Sequence, residues 1–108
     1  MIDKYKAENF SDTNGAPAGG YAEGVGMKIE WQNGPLGRGT ERISPNGAFV
    51  ETVLAVVAQR IEYYQSTKFK CRENALAITK IEEALHWLNH RTQVREAQQV
   101  EGTHAVHA

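Results

Sequence analysis

Eight of the ten glycines fall between Gly15 and Gly39, and no other feature constrains this chain more. Each glycine adds backbone freedom that folding must remove and brings no side chain to a core. Packing groups are therefore scarce before Met27 and concentrated in the second half. A chain of 108 residues is one small domain at most. At that length only about 60–70% of the unfolded surface is buried, so oligomerisation is the expected source of the missing burial.

Composition removes several classes of function. The formal net charge of −1 excludes a protein held on a polyanion by overall charge. No run approaches the roughly 20 apolar residues of a membrane span, and no apolar export signal follows Met1. The expected location is the cytoplasm. Cys71 is the single cysteine, so no intramolecular disulfide forms, and alone it cannot make a zinc site. Charge is nonetheless uneven. Residues 60–95 hold seven Lys and Arg against four acids, a net +3, while the remainder carries −4. Such a hairpin suits a compact anion and not a long DNA or RNA duplex, which needs an extended basic face.

Three segments follow from the pattern. Residues 1–26 read as a flexible Gly/Pro/Ala-rich segment, with linker chemistry at 11–20 and a short amphipathic stretch at 2–10. Residues 27–100 form the folded domain. Met27, Ile29 and Trp31 alternate with Lys28, Glu30 and Gln32, which predicts a strand. The loop Asn33–Gly39 then allows 40–44 to return as its partner. Ser44-Pro45-Asn46-Gly47 reads as a helix start, followed by a wide apolar band from Ala48 and Phe49 to Ile61 and Tyr64. Residues 65–70 break the pattern. A second helix opens at Arg72-Glu73-Asn74 with Ile78, Ile81, Leu85 and Leu88 on one stripe, and Ala77, Ala84 and Trp87 beside it. The short connection makes the helices antiparallel neighbours. Residues 101–108 read as a loose tail. The expected class is α+β: a small antiparallel β-ribbon packed on an antiparallel two-helix hairpin, in an oligomer.

The candidate chemistry is a binding set. Arg91 and Arg95 are four apart, so both project from one helix face. Two guanidinium forks there can grip a phosphate, or they can simply complement the negative end of the helix dipole. Tyr63, Tyr64 and Phe69 flank the interhelical loop, where an aromatic beside Asn74 and arginines suits a purine; the competing role is to cap the hairpin core. Asn74 can contact a ligand or cap its own helix. His86 and His90 have the i, i+4 spacing of a helical metal pair but lack the intervening Glu of a zinc hydrolase, and read as surface residues. No nucleophile, phosphate-binding loop or acid/base carboxylate pair stands out, and neither a metal nor a cofactor is expected. The residues offer a site for holding something, with no machinery for breaking it.

Asn46-Gly47-Ala48, Arg60–Gln65, Phe69–Asn74 and Ala77–Leu85, through Arg91, Thr92, Arg95 and Glu96 to Val100–His104, resemble the phage anti-Thoeris sponge family. The hairpin is also similar to the phage anti-CBASS sponge. The resemblance covers about residues 27–104. It implies a small α+β protomer in a hexamer, with ligands bound between protomers. It implies capture of cyclic ADP-ribose isomers in the cytoplasm of the infected bacterium, without catalysis. By position, Tyr64 corresponds to the aromatic that stacks on adenine, Asn74 to a polar contact, and Arg91 and Arg95 to the pyrophosphate pair. Some members bind cyclic trinucleotides on the symmetry axis, for which Arg42 and Arg38 are the basic candidates. Phe69, beside the interhelical loop, is a further candidate ligand contact. The alternatives are a sponge mainly for cyclic di- and trinucleotides, a hydrolase using His86 or His90, and a structural adaptor that binds no nucleotide.

Overall fold

The turn chemistry at Asp12-Thr13-Asn14-Gly15 closes a hairpin. In the computed structural model, which describes residues 4–98 and 102–104, the Asp12 carboxylate accepts from the Asn14 and Ala16 amides at 2.8 and 3.0 Å. Gly15, at φ 80°, donates its N–H to the Asp12 carbonyl at 3.0 Å. This turn joins strand β1 (Tyr5–Ser11) to strand β2 (Pro17–Gly24). Val25-Gly26 then forms a two-residue turn, with Gly26 at φ 73°, into strand β3 (Met27–Trp31). The result is an antiparallel sheet in the order β1-β2-β3.

Two expectations are corrected here. Residues 5–24 are not a flexible segment but two strands of the sheet. Gly, Asn and Asp serve linkers and tight turns alike, and β2 (PAGGYAEG) has little strand propensity of its own. Pairing on both sides holds it, and Gly20 shows why glycine belongs there. At φ 142°, a Cβ at Gly20 would lie 2.3 Å from the Glu8 carbonyl oxygen on β1. Second, 40–44 is not the partner of β3: Gly39–Glu41 is a 3-10 turn, and β2 takes that place.

The outer edge of β3 is instead closed by Asn46-Gly47-Ala48, the residues expected to start a helix. Gln32 N–H donates to the Ala48 carbonyl at 2.9 Å, and Ala48 N–H to the Glu30 carbonyl at 2.7 Å. Asn46 adds two bonds to the Asn33 backbone, through Oδ1 at 2.8 Å and Nδ2 at 3.0 Å. Helix α1 (Val50–Gln65) begins after this bridge, and α2 (Arg72–Ala97) packs on it as the antiparallel neighbour. Gln65 clamps the connection, donating to the Cys71 carbonyl and accepting from its amide at 3.0 and 2.9 Å. Ile78, Ile81, Ala84, Leu85 and Leu88 are partly buried as the stripe predicts, but Trp87 is 68% exposed.

The sheet does not lie on the hairpin as a packed layer. An open cavity of about 610 Å³ separates them, lined by Phe10, Trp31, Phe49, Val50 and Leu88 among others. Ala58 is the one buried hydrophobic residue among the described residues. The radius of gyration is 16.6 Å, against about 13 Å for a compact domain of this length. The tail expectation is also corrected in part: Gly102 is half-buried and bonded to Gly37, while 105–108 lie outside the described residues.

Gly20→Ala should destabilise the fold by about 1–3 kcal/mol through strain and displacement of β1. Gly26→Ala meets no neighbour within 4 Å and should cost less, so thermal unfolding should rank Gly20→Ala clearly below Gly26→Ala.

Candidate functional site

The two ends of the hairpin carry different chemistry. At the loop end, Tyr64 lies in the last turn of α1, where it is 39% exposed. Arg60, one turn earlier, donates from Nε to the Tyr64 hydroxyl at 3.2 Å. Its guanidinium sits 4.9 Å from the Tyr64 ring centroid and 5.1 Å from that of Tyr63. Tyr64 is thus a partly open aromatic with a cation held over it, and not a core cap. Phe69 is 70% exposed, with the Lys68 ammonium 5.4 Å from its ring. Cys71 caps α2, its sulfur accepting from the Asn74 amide at 3.4 Å. The Asn74 side chain is therefore not the cap; it is half-buried and has no bonding partner among the described residues.

At the other end a cavity of about 470 Å³ opens between the hairpin and the loop after β3. Arg42, Arg91 and Arg95 all line it, with Leu36, Glu51 and Thr103. Arg91 is half-exposed and 3.5 Å from the Glu51 carboxylate. Arg95 donates to the Thr103 carbonyl at 3.0 Å, and Arg42 to the Gly37 carbonyl at 3.5 Å. Arg42 was expected apart from the other two, yet it shares their cavity. Arg38 is exposed and precedes the 3-10 turn, and it does not line this cavity.

The expected set is therefore split. Asn74 and Arg91 are 17 residues apart on one helix, which at 1.5 Å per residue separates them by roughly 25 Å. Tyr64, Phe69 and Asn74 share the loop end of the hairpin, while Arg91, Arg95 and Arg42 line one cavity at the other end; the two groups do not meet within one chain.

The model of the family described as "Acb2/Tad1, hairpin domain" matches residues 23–93. The chain belongs to the Acb2/Tad1 hairpin family. It is 52% identical over 77 residues to Thoeris anti-defense 1 of Bacillus phage SBSphiJ7. The alignment covers 71% of this chain and 54% of that protein, so the chain spans about half the length of this curated relative. In this Acb2/Tad1 hairpin, Tyr64, Asn74 and Arg91 lie within the matched span, and Arg95 lies just beyond it. Strand β1 and most of β2 precede it.

His86 and His90 are placed edge-on to Trp87, each with its ring centroid 6.0 Å away. Among the described residues no group of three His, Cys, Asp or Glu is placed to hold a metal. No described helix is long and apolar enough to cross a membrane.

Sequence reasoning missed Arg60 as a partner of Tyr64, although the i, i+4 spacing signals it. It also missed the strap at Gly102-Thr103, which no local pattern reveals. Gly37 N–H donates to the Gly102 carbonyl at 2.7 Å, and a Cβ on Gly102, at φ 77°, would lie 2.5 Å from the Gly37 carbonyl oxygen. Gly102→Ala should therefore detach the strap from the cavity rim. Amide exchange at Gly37 should rise about tenfold or more as its hydrogen bond is lost, with exchange within α1 unchanged.

Proposed function

We propose that this protein is a phage anti-defence sponge that captures cyclic ADP-ribose isomers intact, each ligand held between two protomers in the cytoplasm of an infected bacterium. The name of the phage relative supports the process, and the family resemblance supports the ligand class. One observation carries the binding mode: the aromatic and amide end of the hairpin stands roughly 25 Å from the arginine end. A cyclic ADP-ribose is far shorter than that. It meets both sets only where the loop end of one protomer approaches the arginine cavity of another.

Magnitudes favour the same arrangement. A sponge that starves a sensitive receptor needs a nanomolar Kd, or about −12 kcal/mol. One base stack contributes roughly 1–3 kcal/mol, and each charged hydrogen bond roughly 1.5–3 kcal/mol. Neither end reaches the total once the cost of ordering the ligand is included. Both ends together, with water excluded between two chains, can reach it.

The roles follow from chemistry. Arg60 sits over the Tyr64 ring, and the exposed part of that ring is assigned to the adenine. Asn74 presents a half-buried amide without a competing bond to the base edge. Arg91 and Arg95 hold the pyrophosphate, and Arg42, lining the same cavity, is assigned to those phosphates and not to a separate cyclic-oligonucleotide site. No residue is assigned to bond breaking, so the protein acts by stoichiometry. A hexamer fits both the thin protomer and the shared site.

Titration with cyclic ADP-ribose isomers should show Arg91→Ala and Arg95→Ala each weakening binding roughly ten- to a hundredfold. Tyr64→Phe should retain most of the affinity and Tyr64→Ala should lose the stack. Heat denaturation of the loaded protein should release intact ligand. Recovery of a linear product, or unaltered affinity in both arginine variants, would contradict the reading.

A further inference from the structure

The sheet has one closed edge and one open edge. Asn46–Ala48 covers the outer side of β3, as described, while among the described residues nothing pairs with the outer side of β1. All seven residues of β1 are exposed. An unpaired strand edge is a row of free N–H and C=O groups that templates a further strand. Here the available length is bounded. The pairing with β2 is regular from Tyr5 to Asn9 and then shifts register before Ser11, and such a bulge bends the strand away. The regular edge is thus five residues long and centred on Ala7.

We propose that this edge pairs with β1 of a second copy, antiparallel about a two-fold axis through Ala7. Strands related by such an axis keep the same faces up, so opposed residues must have the same parity. Centring on Ala7 opposes Tyr5 to Asn9 and Lys6 to Glu8 in each direction. Two oppositely charged cross-strand pairs form, one on either side of the axis. Centring on Glu8 would oppose Glu8 to itself, and centring on Lys6 would oppose Lys6 to itself, which destabilises a ladder; the Lys6 register could offset this only through Lys4, which precedes the strand.

The protomer leaves these charges ready for the pairing. Glu8 lies opposite Tyr21, and no carboxylate–cation pair involves it among the described residues. Lys6 stands 6.0 Å from the Tyr21 ring. A hydrogen bond with Tyr21, and then its charge and those of Glu8 and Glu23, hold the ammonium above its ordinary pKa. Lys6 is therefore cationic at neutral pH. The opposite face of the sheet carries Tyr5, Ala7, Ala22, Met27 and Ile29. Pairing would join two such apolar faces into one continuous surface, in a protomer where Ala58 is the single buried hydrophobic among the described residues. Because β1 precedes the span matched by the family model, this contact is a property of the chain's own N-terminal hairpin.

Cysteine cross-linking tests it on the full chain in a Cys71→Ser background, serine being an equally good helix cap. Opposed Cα atoms in an antiparallel ladder lie about 4.5–5.5 Å apart, within the reach of a disulfide. Ala7→Cys should give a disulfide-linked dimer on mild oxidation at least about tenfold faster than Tyr5→Cys, whose two copies would stand roughly 13 Å apart along the seam. Adding Glu8→Lys to the Ala7→Cys chain should slow cross-linking at least about threefold, and adding Lys6→Glu as well should restore the rate. Equal rates for Ala7→Cys and Tyr5→Cys, or a double charge reversal as slow as the single one, would overturn the proposal.

Discussion

Everything in this protomer is arranged along one stiff rod. Helix α2 runs 26 residues from Arg72 to Ala97, about 39 Å at helical rise. It carries Asn74 in its first turn and Arg91 and Arg95 near its last. Hydrogen bonding within the helix fixes their separation, and no side-chain rotamer can close it. The loop clamp by Gln65 sets Tyr64 beside the Asn74 end, and the strap at Gly102-Thr103 sets the rim of the arginine cavity at the other. In the proposed reading the binding chemistry is distributed along this one helix, and a second chain reunites it.

The same thinness runs through the packing. The two helices bury a narrow stripe against each other, and the sheet is held through the Asn46–Ala48 bridge more than by apolar contact. Val56, Val57, Leu76 and Trp87 remain on the outside of the hairpin, each more than 40% exposed. At about 25 cal/mol per Å² of apolar area, covering such groups is a large fraction of the net stability of a small domain. In the proposed assembly, association with other copies would stabilise the fold as well as complete the site.

Much of this was legible in the sequence, and the omissions have physical reasons. The stripe Ile78, Ile81, Leu85 and Leu88 marked the buried face of α2 because a helix repeats its pattern every three to four residues. Strand β3 was legible from its alternation. Strands β1 and β2 were not, because their turn uses the residues a linker uses and β2 contains three glycines. Gly20 is there for the close approach of β1, a reason that lies on another strand. Asn46-Gly47 read as a helix start for a similar cause: its true role is a bridge to residues 30–33, invisible to any local window. For the candidate site, chemistry and spacing named Tyr64, Asn74, Arg91 and Arg95 as candidates, while how they are distributed over the two ends of the hairpin shows only in the fold. Arg42 was set apart from Arg91 and Arg95 because only the tertiary fold brings the loop after β3 against the end of α2.

Subunit complementation tests the central claim most directly. Protomers carrying Tyr64→Ala, and separately protomers carrying Arg91→Ala with Arg95→Ala, would be unfolded and refolded together, then titrated with a cyclic ADP-ribose isomer. Each preparation alone should bind poorly. If one chain supplies the aromatic and its neighbour the arginines, random 1:1 mixing rebuilds about one intact site in four, and high-affinity binding returns at that stoichiometry. Mixed assemblies that bind no better than the separate variants would contradict the account, placing the whole site within a single chain.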